Sequence, residues 1–197
     1  MIYIEDNFLS EKEFSDIKQL IPKRYPKHSD KFRVLEPHIP IRYEWHDLKG
    51  NYKEGCRFLG ISSLPAIEKT VEVFNKLNIP AVNFSVWFAY MFTGMRNIAH
   101  VDGALRNSKR SSTYTTMYYT SDWQKGWGGE LIFGESVYDN NHNLVEIVPK
   151  QIIEPIPNRQ VIWSREQAHE VYVVTHPDPN FVRCSIGSGW SSFDDQV

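Results

Sequence analysis

Hydrophobic residues recur at helical spacing in the N-terminal part of the chain. Phe14 and Ile17 lie three residues apart, and further hydrophobic residues follow them at helical spacing. Ser10 and Glu13 form a capping box immediately before this stretch, because each side chain can bond the other residue's backbone N–H. Pro22 cannot continue the hydrogen bonding of a helix. The pattern therefore predicts a first helix that begins near Ser10 and ends before Pro22.

A second helix is predicted from Pro65, because proline suits the first helical turn. Its apolar stripe consists of Ile67, Val71, Phe74 and Leu77. After Pro80 the pattern changes to short β-rich runs separated by turn residues. We predict strands over residues 82–90, 98–102, 113–119, 130–133, 144–148, 152–156, 160–163, 169–174 and 181–186.

This series of short strands predicts a mainly β protein with N-terminal helices. A double-stranded β-helix, the cupin-like jelly roll, suits the strands because its two sheets hide most strand edges. The helices are expected to pack on one of the two sheets. We predict a single domain over residues 1–197, with a helical support region at 1–80 and a jelly-roll core at 81–197.

Composition restricts the class of protein. Hydrophobic residues make up 41% of the chain and charged residues 23%, so a disordered chain is excluded. The formal net charge of −2 argues against a dedicated nucleic-acid binder. The two cysteines are too few for a disulfide framework, and neither a signal peptide nor a membrane-length apolar run is found. We expect a soluble, cytoplasmic protein.

Two histidines and one aspartate provide the candidate metal ligands. Alternate residues of a strand point to one face, so His100 and Asp102 can converge on one point. His169, on a distant strand, supplies a second imidazole. Two imidazoles and one carboxylate are the ligand set of non-haem Fe(II) sites that keep open positions for chemistry.

A second His-x-Asp tripeptide shows that the motif alone is weak. It spans residues 176–178, with Pro177 at its centre and Pro179 directly after it, where strand alternation fails. We interpret it as a loop. Arg183 strengthens the first motif, because an arginine that faces the interior of an apolar strand needs an anionic partner. A planar guanidinium can bind a carboxylate with two parallel hydrogen bonds.

In this order the motifs resemble those of the Fe(II)- and 2-oxoglutarate-dependent oxygenases, in particular the prolyl-4-hydroxylase-like branch. The resemblance covers roughly residues 80–192 and implies a jelly-roll fold with Fe(II), 2-oxoglutarate and O2 as cofactor and co-substrates, and ascorbate as a supporting reductant. It implies that His100, Asp102 and His169 bind the metal. Gly128-Gly129-Glu130 resembles the turn that opens a strand in this family.

The resemblance also implies a set of co-substrate residues. Arg183 corresponds to the arginine that binds the distal carboxylate of 2-oxoglutarate, and Ser185 to a serine that assists it. Tyr119 corresponds to a tyrosine that bonds the same carboxylate, with Tyr118 as the alternative. Tyr90 lies ten residues before the first histidine, at the family's spacing for another pocket tyrosine.

The sequence differs from two other groups of this superfamily, and both differences restrict the expected activity. Nucleic-acid demethylases of this superfamily carry a second arginine six residues after the first, where this chain has Gly189. We therefore expect no nucleic-acid substrate. A halogenase replaces the carboxylate ligand with a small residue, whereas Asp102 is present here.

The leading hypothesis is a hydroxylase for an amino-acid side chain, namely proline in a protein or peptide. The alternatives are an oxygenase for a small molecule or free amino acid, and a non-catalytic jelly-roll binding module. The sequence does not identify the substrate, the hydroxylated position or the oligomeric state. It assigns no role to residues 30–60 or to residues 103–112, whose basic part at Arg106–Arg110 is either a solvated loop or a lid over the substrate.

Overall fold

The computed structural model describes residues 1–20, 46–47, 65–79, 83–102 and 112–191. Pro22 and the Arg106–Arg110 loop lie outside these ranges, as do nearly all residues of the 30–60 and 103–112 segments. No helix in the described part of the chain is long and apolar enough to cross a membrane.

Two helices form where the hydrophobic pattern predicts them. Helix α1 spans Glu11–Leu20 and helix α2 spans Pro65–Lys76. The capping box of α1 is present, since the Ser10 backbone N–H donates to Glu13 Oε2 at 3.0 Å and the Glu13 N–H reaches Ser10 Oγ at 3.4 Å. Beyond the end of α2, Asn78 adopts a positive φ of 54°, a conformation that asparagine tolerates better than most residues.

The described residues contain ten strands in two antiparallel sheets. They are β1 Ile2–Glu5, β2 His46–Asp47, β3 Asn83–Phe92, β4 Asn97–His100, β5 Ser112–Tyr119, β6 Leu131–Tyr138, β7 Leu144–Ile153, β8 Gln160–Ser164, β9 His169–Val171 and β10 Val182–Ser191. The larger sheet has the order β1-β8-β5-β10-β3-β2, and the smaller sheet has the order β4-β9-β6-β7. The predicted mainly β jelly roll with N-terminal helices is therefore confirmed.

Several strand boundaries differ from the prediction. The predicted strand at 152–156 is wrong, because Ile152 and Ile153 end β7 and the chain then turns. Strand β6 extends to Tyr138, and β6 pairs with β7 as one long hairpin. Most of β7 is exposed on both faces, so the hydrophobic alternation that reveals a strand is missing there. The pair His46–Asp47 forms a short strand beside β3.

Two of the three hydrophobic clusters among the described residues hold the layers of the protein together. The helix-side core joins both helices to the outer face of the larger sheet and includes Phe8, Leu9, Ile17, Ala66, Ile67, Val73, Phe74, Tyr118, Ile162, Ile186 and Trp190. The interior core lies between the sheets and includes Met91, Tyr119, Leu131, Phe133, Ile153, Val161, Trp163, Val171 and Val174. The predicted packing of the helices on one sheet is thus observed. Strand β1 also pairs with β8, and the division at residue 80 stays a prediction.

Asn158 anchors the N-terminal segment to the larger sheet. Its Oδ1 accepts hydrogen bonds from the Leu9 backbone N–H at 2.9 Å and from the Tyr118 hydroxyl at 2.7 Å, and its Nδ2 donates to the Leu9 carbonyl at 2.8 Å. Asn158 is 7% exposed and has a φ of 62°. Asparagine suits this position because it tolerates the left-handed region and satisfies three buried polar groups at once.

We expect Asn158→Ala to lower the free energy of unfolding by about 3 kcal/mol, because three buried polar groups lose a partner and alanine is strained at positive φ. Urea unfolding followed by circular dichroism measures this change. Asn143→Ala is the control, since its side chain bonds only Asp139 on an exposed turn. Equal losses in the two variants would contradict the anchoring role.

Candidate active site

The two predicted histidine ligands lie next to each other on paired strands of the smaller sheet. His100 ends β4 and His169 begins β9, and the two residues are directly opposite in the antiparallel register. Their ring centroids are 4.2 Å apart. Opposite residues of a strand pair share a face, so the pairing itself brings both imidazoles to the interior side.

Asp102 reaches the histidines from a turn rather than from a strand. The prediction that strand alternation aligns His100 with Asp102 is wrong in this respect, because β4 ends at His100. Asp102 Oδ1 lies 3.6 Å from His100 Nε2, and Oδ2 lies 3.7 Å from His169 Nε2. Thr115 donates its hydroxyl to Asp102 Oδ2 at 2.7 Å, and Arg165 Nη2 donates to the Asp102 carbonyl at 2.7 Å.

Each histidine directs Nδ1 at a backbone carbonyl, a contact that orients the ring of a metal ligand. His100 Nδ1 lies 2.7 Å from the Ile98 carbonyl, and His169 Nδ1 lies 3.0 Å from the Gln167 carbonyl. A carbonyl oxygen only accepts, so each Nδ1 carries a proton, and Nε2 is the ring atom of each histidine that can bind a metal ion once it is deprotonated. Both Nε2 atoms are the ones that approach Asp102.

Asp102 is held as a carboxylate. Burial raises the pKa of its side chain, but hydrogen bonds from His100 and Thr115 and the nearby His169 outweigh burial and hold the pKa well below its ordinary value. One ligand atom from each of His100, Asp102 and His169 lies within 4.8 Å of the others, which is a group that could hold a metal ion. Two neutral imidazoles and one carboxylate suit non-haem Fe(II).

The environment of the cluster differs between its two sides. The side chains of Asp102 and His169 are 7% and 5% exposed, whereas His100 is 24% exposed and marks the open side. His169 packs against Trp163 and Phe133 with ring centroids 5.1 and 5.9 Å away. Because both aromatic residues belong to the interior core, the cluster lies at the edge of this apolar core.

Arg183 is buried in the same interior. It is 3% exposed, and no carboxylate of the described residues lies within ion-pair distance of its guanidinium. Nη1 donates to the Gly129 carbonyl, while Nε is buried without a hydrogen-bond partner in the described structure. Burial lowers the pKa of Arg183, but the group remains cationic because its ordinary pKa is far above neutrality. A ligand carboxylate would satisfy it.

The Gly128-Gly129 turn shapes the space beside Arg183. Both glycines have positive φ, at 68° and 79°. A Cβ at Gly128 would lie 1.9 Å from the Val173 carbonyl oxygen, and a Cβ at Gly129 would lie 2.8 Å from Arg183 Nη1. Only glycine therefore lets this turn approach the neighbouring backbone and the guanidinium so closely.

Tyr119 and Ser185 join Arg183 on the interior face of the larger sheet. Ser185 is directly opposite Tyr119 in the register of β10 and β5, and it lies two residues after Arg183, on the same face. The Arg183 guanidinium carbon is 5.5 Å from the centre of the Tyr119 ring. Burial raises the pKa of Tyr119, so its hydroxyl stays protonated. Ser185 Oγ is fully buried with no partner among the described residues.

The other two candidate tyrosines are placed differently. Tyr118, the predicted alternative to Tyr119, lies in the helix-side core and donates its hydroxyl to Asn158. The structure therefore does not bring it to Arg183. Tyr90 lies on β3 opposite Cys184, while Met91 lies opposite Arg183. The side chain of Tyr90 is outside the described part of the structure, and its role stays a prediction.

The second His-x-Asp tripeptide forms a turn, as interpreted from the sequence. The His176 ring stacks on Phe181 at 3.9 Å, and its Nδ1 accepts the Asp178 backbone N–H at 2.9 Å. The side chain of Asp178 accepts from the Asn180 backbone. In the described part of the chain, the only cluster of three or more potential metal ligands is the one around Asp102.

A model of the 2OG-Fe(II) oxygenase superfamily matches residues 86–191, which is more than half of the chain. The chain belongs to the 2OG-Fe(II) oxygenase superfamily. It is a 2-oxoglutarate- and Fe(II)-dependent dioxygenase, and the family's requirements are Fe(II), 2-oxoglutarate and O2. The residues present fit this cofactor set, because they supply two imidazoles, a carboxylate and a buried arginine that has no carboxylate partner in the described part of the chain.

Solved structures show that this oxygenase has the fold of prolyl hydroxylases. It is similar to a prolyl-4-hydroxylase from Pseudomonas putida, with a TM-score of 0.65, 17% identity and coverage of 98% of this chain and 93% of that one. A viral collagen prolyl hydroxylase from Paramecium bursaria Chlorella virus-1 gives a TM-score of 0.58, 17% identity and coverage of 96% and 94%.

A third similar structure is a prolyl hydroxylase from Trichoplax adhaerens in complex with a peptide fragment of the hypoxia-inducible factor oxygen degradation domain. It gives a TM-score of 0.54, 18% identity and coverage of 97% of this chain and 83% of that one. No curated protein matches the oxygenase.

Sequence reasoning missed the residues that support the ligands. Thr115 lies four residues before Tyr119 on β5, so strand alternation places it on the same interior face. This spacing could have identified Thr115 as a site residue. Arg165 contacts Asp102 across 63 positions of sequence, and no local pattern indicates that contact.

We expect the purified oxygenase to bind one divalent metal ion per chain and Asp102→Ala to abolish this binding, because two histidines alone hold such an ion weakly. The visible spectrum of added Co(II) under anaerobic conditions measures occupancy. His176→Ala provides a matched control from the second His-x-Asp tripeptide and is expected to bind normally. Loss of binding in the control but not in the Asp102 variant would contradict the location of the site.

Proposed function

We propose that this oxygenase hydroxylates an amino-acid side chain, and specifically proline in a protein or peptide. In this proposal His100, Asp102 and His169 bind Fe(II), and Arg183 binds the distal carboxylate of 2-oxoglutarate. The observation that carries the proposal is a cationic arginine, 3% exposed and without a carboxylate partner among the described residues, on the interior face that also holds the metal-ligand group. A dicarboxylate between the two would satisfy both.

The residues around Arg183 account for selection of a dicarboxylate. The guanidinium keeps Nη1 on the Gly129 carbonyl and leaves Nε for a ligand oxygen. The protonated Tyr119 hydroxyl and the Ser185 hydroxyl are further donors on the same face. Charge-assisted bonds of this kind are strong in a site that excludes water, and the surrounding interior core is apolar.

The open side of the cluster suits the substrate. His100 is the most exposed of the three proposed ligands, so a substrate can approach there while the co-substrate occupies the buried side near Arg183. When bound, Fe(II) and 2-oxoglutarate supply the oxidising chemistry, in which O2 converts 2-oxoglutarate to succinate and CO2 and hydroxylates a C–H bond. The protein's part is to orient the reactants and exclude water.

The prolyl assignment is supported by fold similarity. The three similar structures described above are prolyl hydroxylases, and one of them holds a peptide fragment. A shared fold by itself leaves the substrate open, so the choice between a peptide and a small molecule depends on experiment. The cytoplasmic location stays a prediction.

We expect Arg183→Met to weaken 2-oxoglutarate binding about 10- to 100-fold, because a buried charge-assisted hydrogen bond contributes roughly 1.5–3 kcal/mol. The visible absorption band of the anaerobic Fe(II)–2-oxoglutarate chelate measures binding. The same titration with 2-oxopentanoate, which lacks the distal carboxylate, should show little difference between Arg183→Met and the unaltered protein.

Two controls separate this effect from misfolding. Arg159→Met removes an arginine that pairs with Asp6 outside the site, and it should bind 2-oxoglutarate normally. His100→Ala should abolish the absorption band. An equal loss of affinity for both 2-oxo acids in Arg183→Met would contradict the proposed carboxylate contact.

We expect the iron-loaded enzyme to add one oxygen atom to a proline-containing peptide, with the oxygen derived from O2 and succinate formed in parallel. Mass spectrometry with isotopically labelled O2 measures both products, and peptides with alanine in place of proline should stay unmodified. If free amino acids or small molecules are oxidised while the peptides stay unmodified, the prolyl assignment is wrong and the enzyme is a small-molecule oxygenase. A folded protein that binds neither metal nor 2-oxoglutarate would be a binding module instead.

A further inference from the structure

Asp102 has no strand to hold it, although it is the carboxylate of the metal-ligand group. Strand β4 ends at His100, so the ladder that aligns the two histidines does not extend to Asp102. The hydrogen bonds from Thr115 and Arg165 come from other elements and reach its side chain and its main chain separately. We propose that Thr115 and Arg165 are positioning residues that fix the Asp102 carboxylate for metal binding.

Thr115 controls the orientation of the carboxylate. It lies on β5 in the centre of the larger sheet, is 2% exposed, and is paired in register with Trp163 on one side and Gly189 on the other. Its hydroxyl donates to Asp102 Oδ2 at 2.7 Å. A donor on a rigid strand restricts rotation of the carboxylate plane, so one oxygen stays directed at each histidine.

Arg165 controls the main chain of Asp102. Its Nη2 donates to the Asp102 carbonyl at 2.7 Å, which holds the turn beyond β4 against the connection between β8 and β9. That connection is itself a tight turn, because the Gln167 N–H donates to the Ser164 carbonyl at 2.9 Å. Since His169 begins β9 directly after this connection, Arg165 links the positions of two ligands.

The two contacts hold Asp102 beside the two histidines before the metal ion binds. A preformed site avoids the conformational cost of ordering Asp102 when the ion arrives, and outer contacts of this kind typically change metal affinity by about 10- to 100-fold. The inference rests on the proposed role of Asp102 as a ligand. It adds two residues whose removal leaves all three ligands chemically intact.

The experiment measures the affinity of the metal-free protein for Co(II) by anaerobic absorption titration. Thr115→Val removes the donor at nearly constant volume and should weaken binding about 10- to 100-fold. Thr115→Ser keeps the hydroxyl and should restore most of the affinity. Thr116→Val is the matched control, because this neighbouring buried threonine bonds Ser188 on the opposite face of the sheet.

Arg165 is tested in the same way. Arg165→Met keeps the aliphatic length but removes the donor, and it should weaken Co(II) binding by a similar factor. The Co(II) absorption spectrum, which reports ligand geometry, should also change in Thr115→Val and Arg165→Met but stay unaltered in Thr116→Val.

Urea unfolding of each metal-free variant separates positioning from stability. Thr116→Val should lose stability without losing Co(II) affinity. If Thr115→Val and Arg165→Met are destabilised but bind Co(II) with unaltered affinity and spectrum, the two residues are structural only and the inference is overturned. If the unaltered protein binds no Co(II), the proposed ligand role of Asp102 fails instead. Normal Co(II) binding by Asp102→Ala would lead to the same conclusion.

Discussion

The burial of Arg183 is the constraint on which the site depends. A guanidinium in an apolar interior is costly unless its charge is matched, yet Arg183 has only the Gly129 carbonyl as a hydrogen-bond acceptor in the described structure. This contact joins β10 of the larger sheet to the turn before β6 of the smaller sheet. The positive φ of Gly129 and the close approach at Gly128 make the contact possible. In the proposed function, a bound dicarboxylate would offset the cost of the buried charge.

The metal-ligand group spans the two sheets in the same manner. The smaller sheet supplies His100 and His169 as a directly opposed pair, and the larger sheet supplies the hydroxyl of Thr115 that holds Asp102. Neither sheet alone contains the complete arrangement. The helix-side core and Asn158 hold the opposite face of the larger sheet. The adjacent residues Tyr118 and Tyr119 therefore lie in different layers. Tyr118 bonds Asn158 in the helix-side core, and Tyr119 belongs to the interior core.

The sequence predicts those features that local patterns determine. The capping box and apolar stripes identify both helices, and the ordered motifs identify the two histidines, Asp102 and Arg183. Long-range pairing determines what the patterns missed. The exposed hairpin of β6 and β7 carries no hydrophobic alternation along most of β7, so its strand boundaries were predicted wrongly. The sequence already ranks Tyr119 before Tyr118, and the strand register that places Tyr119 opposite Ser185 explains this order. The support of Asp102 comes from residues distant in sequence.

The two His-x-Asp tripeptides show why the motif acts only in its setting. In the first, the histidine ends a strand whose partner strand offers His169 directly opposite, and the aspartate receives bonds from Thr115 and Arg165. In the second, the His176 ring is occupied by stacking on Phe181, and its Nδ1 already accepts a backbone N–H. The same His-x-Asp spacing thus gives a candidate metal-ligand group in one place and a closed turn in the other. The difference lies in the structural elements that surround each tripeptide. A third ligand and a hydrogen-bond donor on a rigid strand therefore indicate a metal site better than the tripeptide itself.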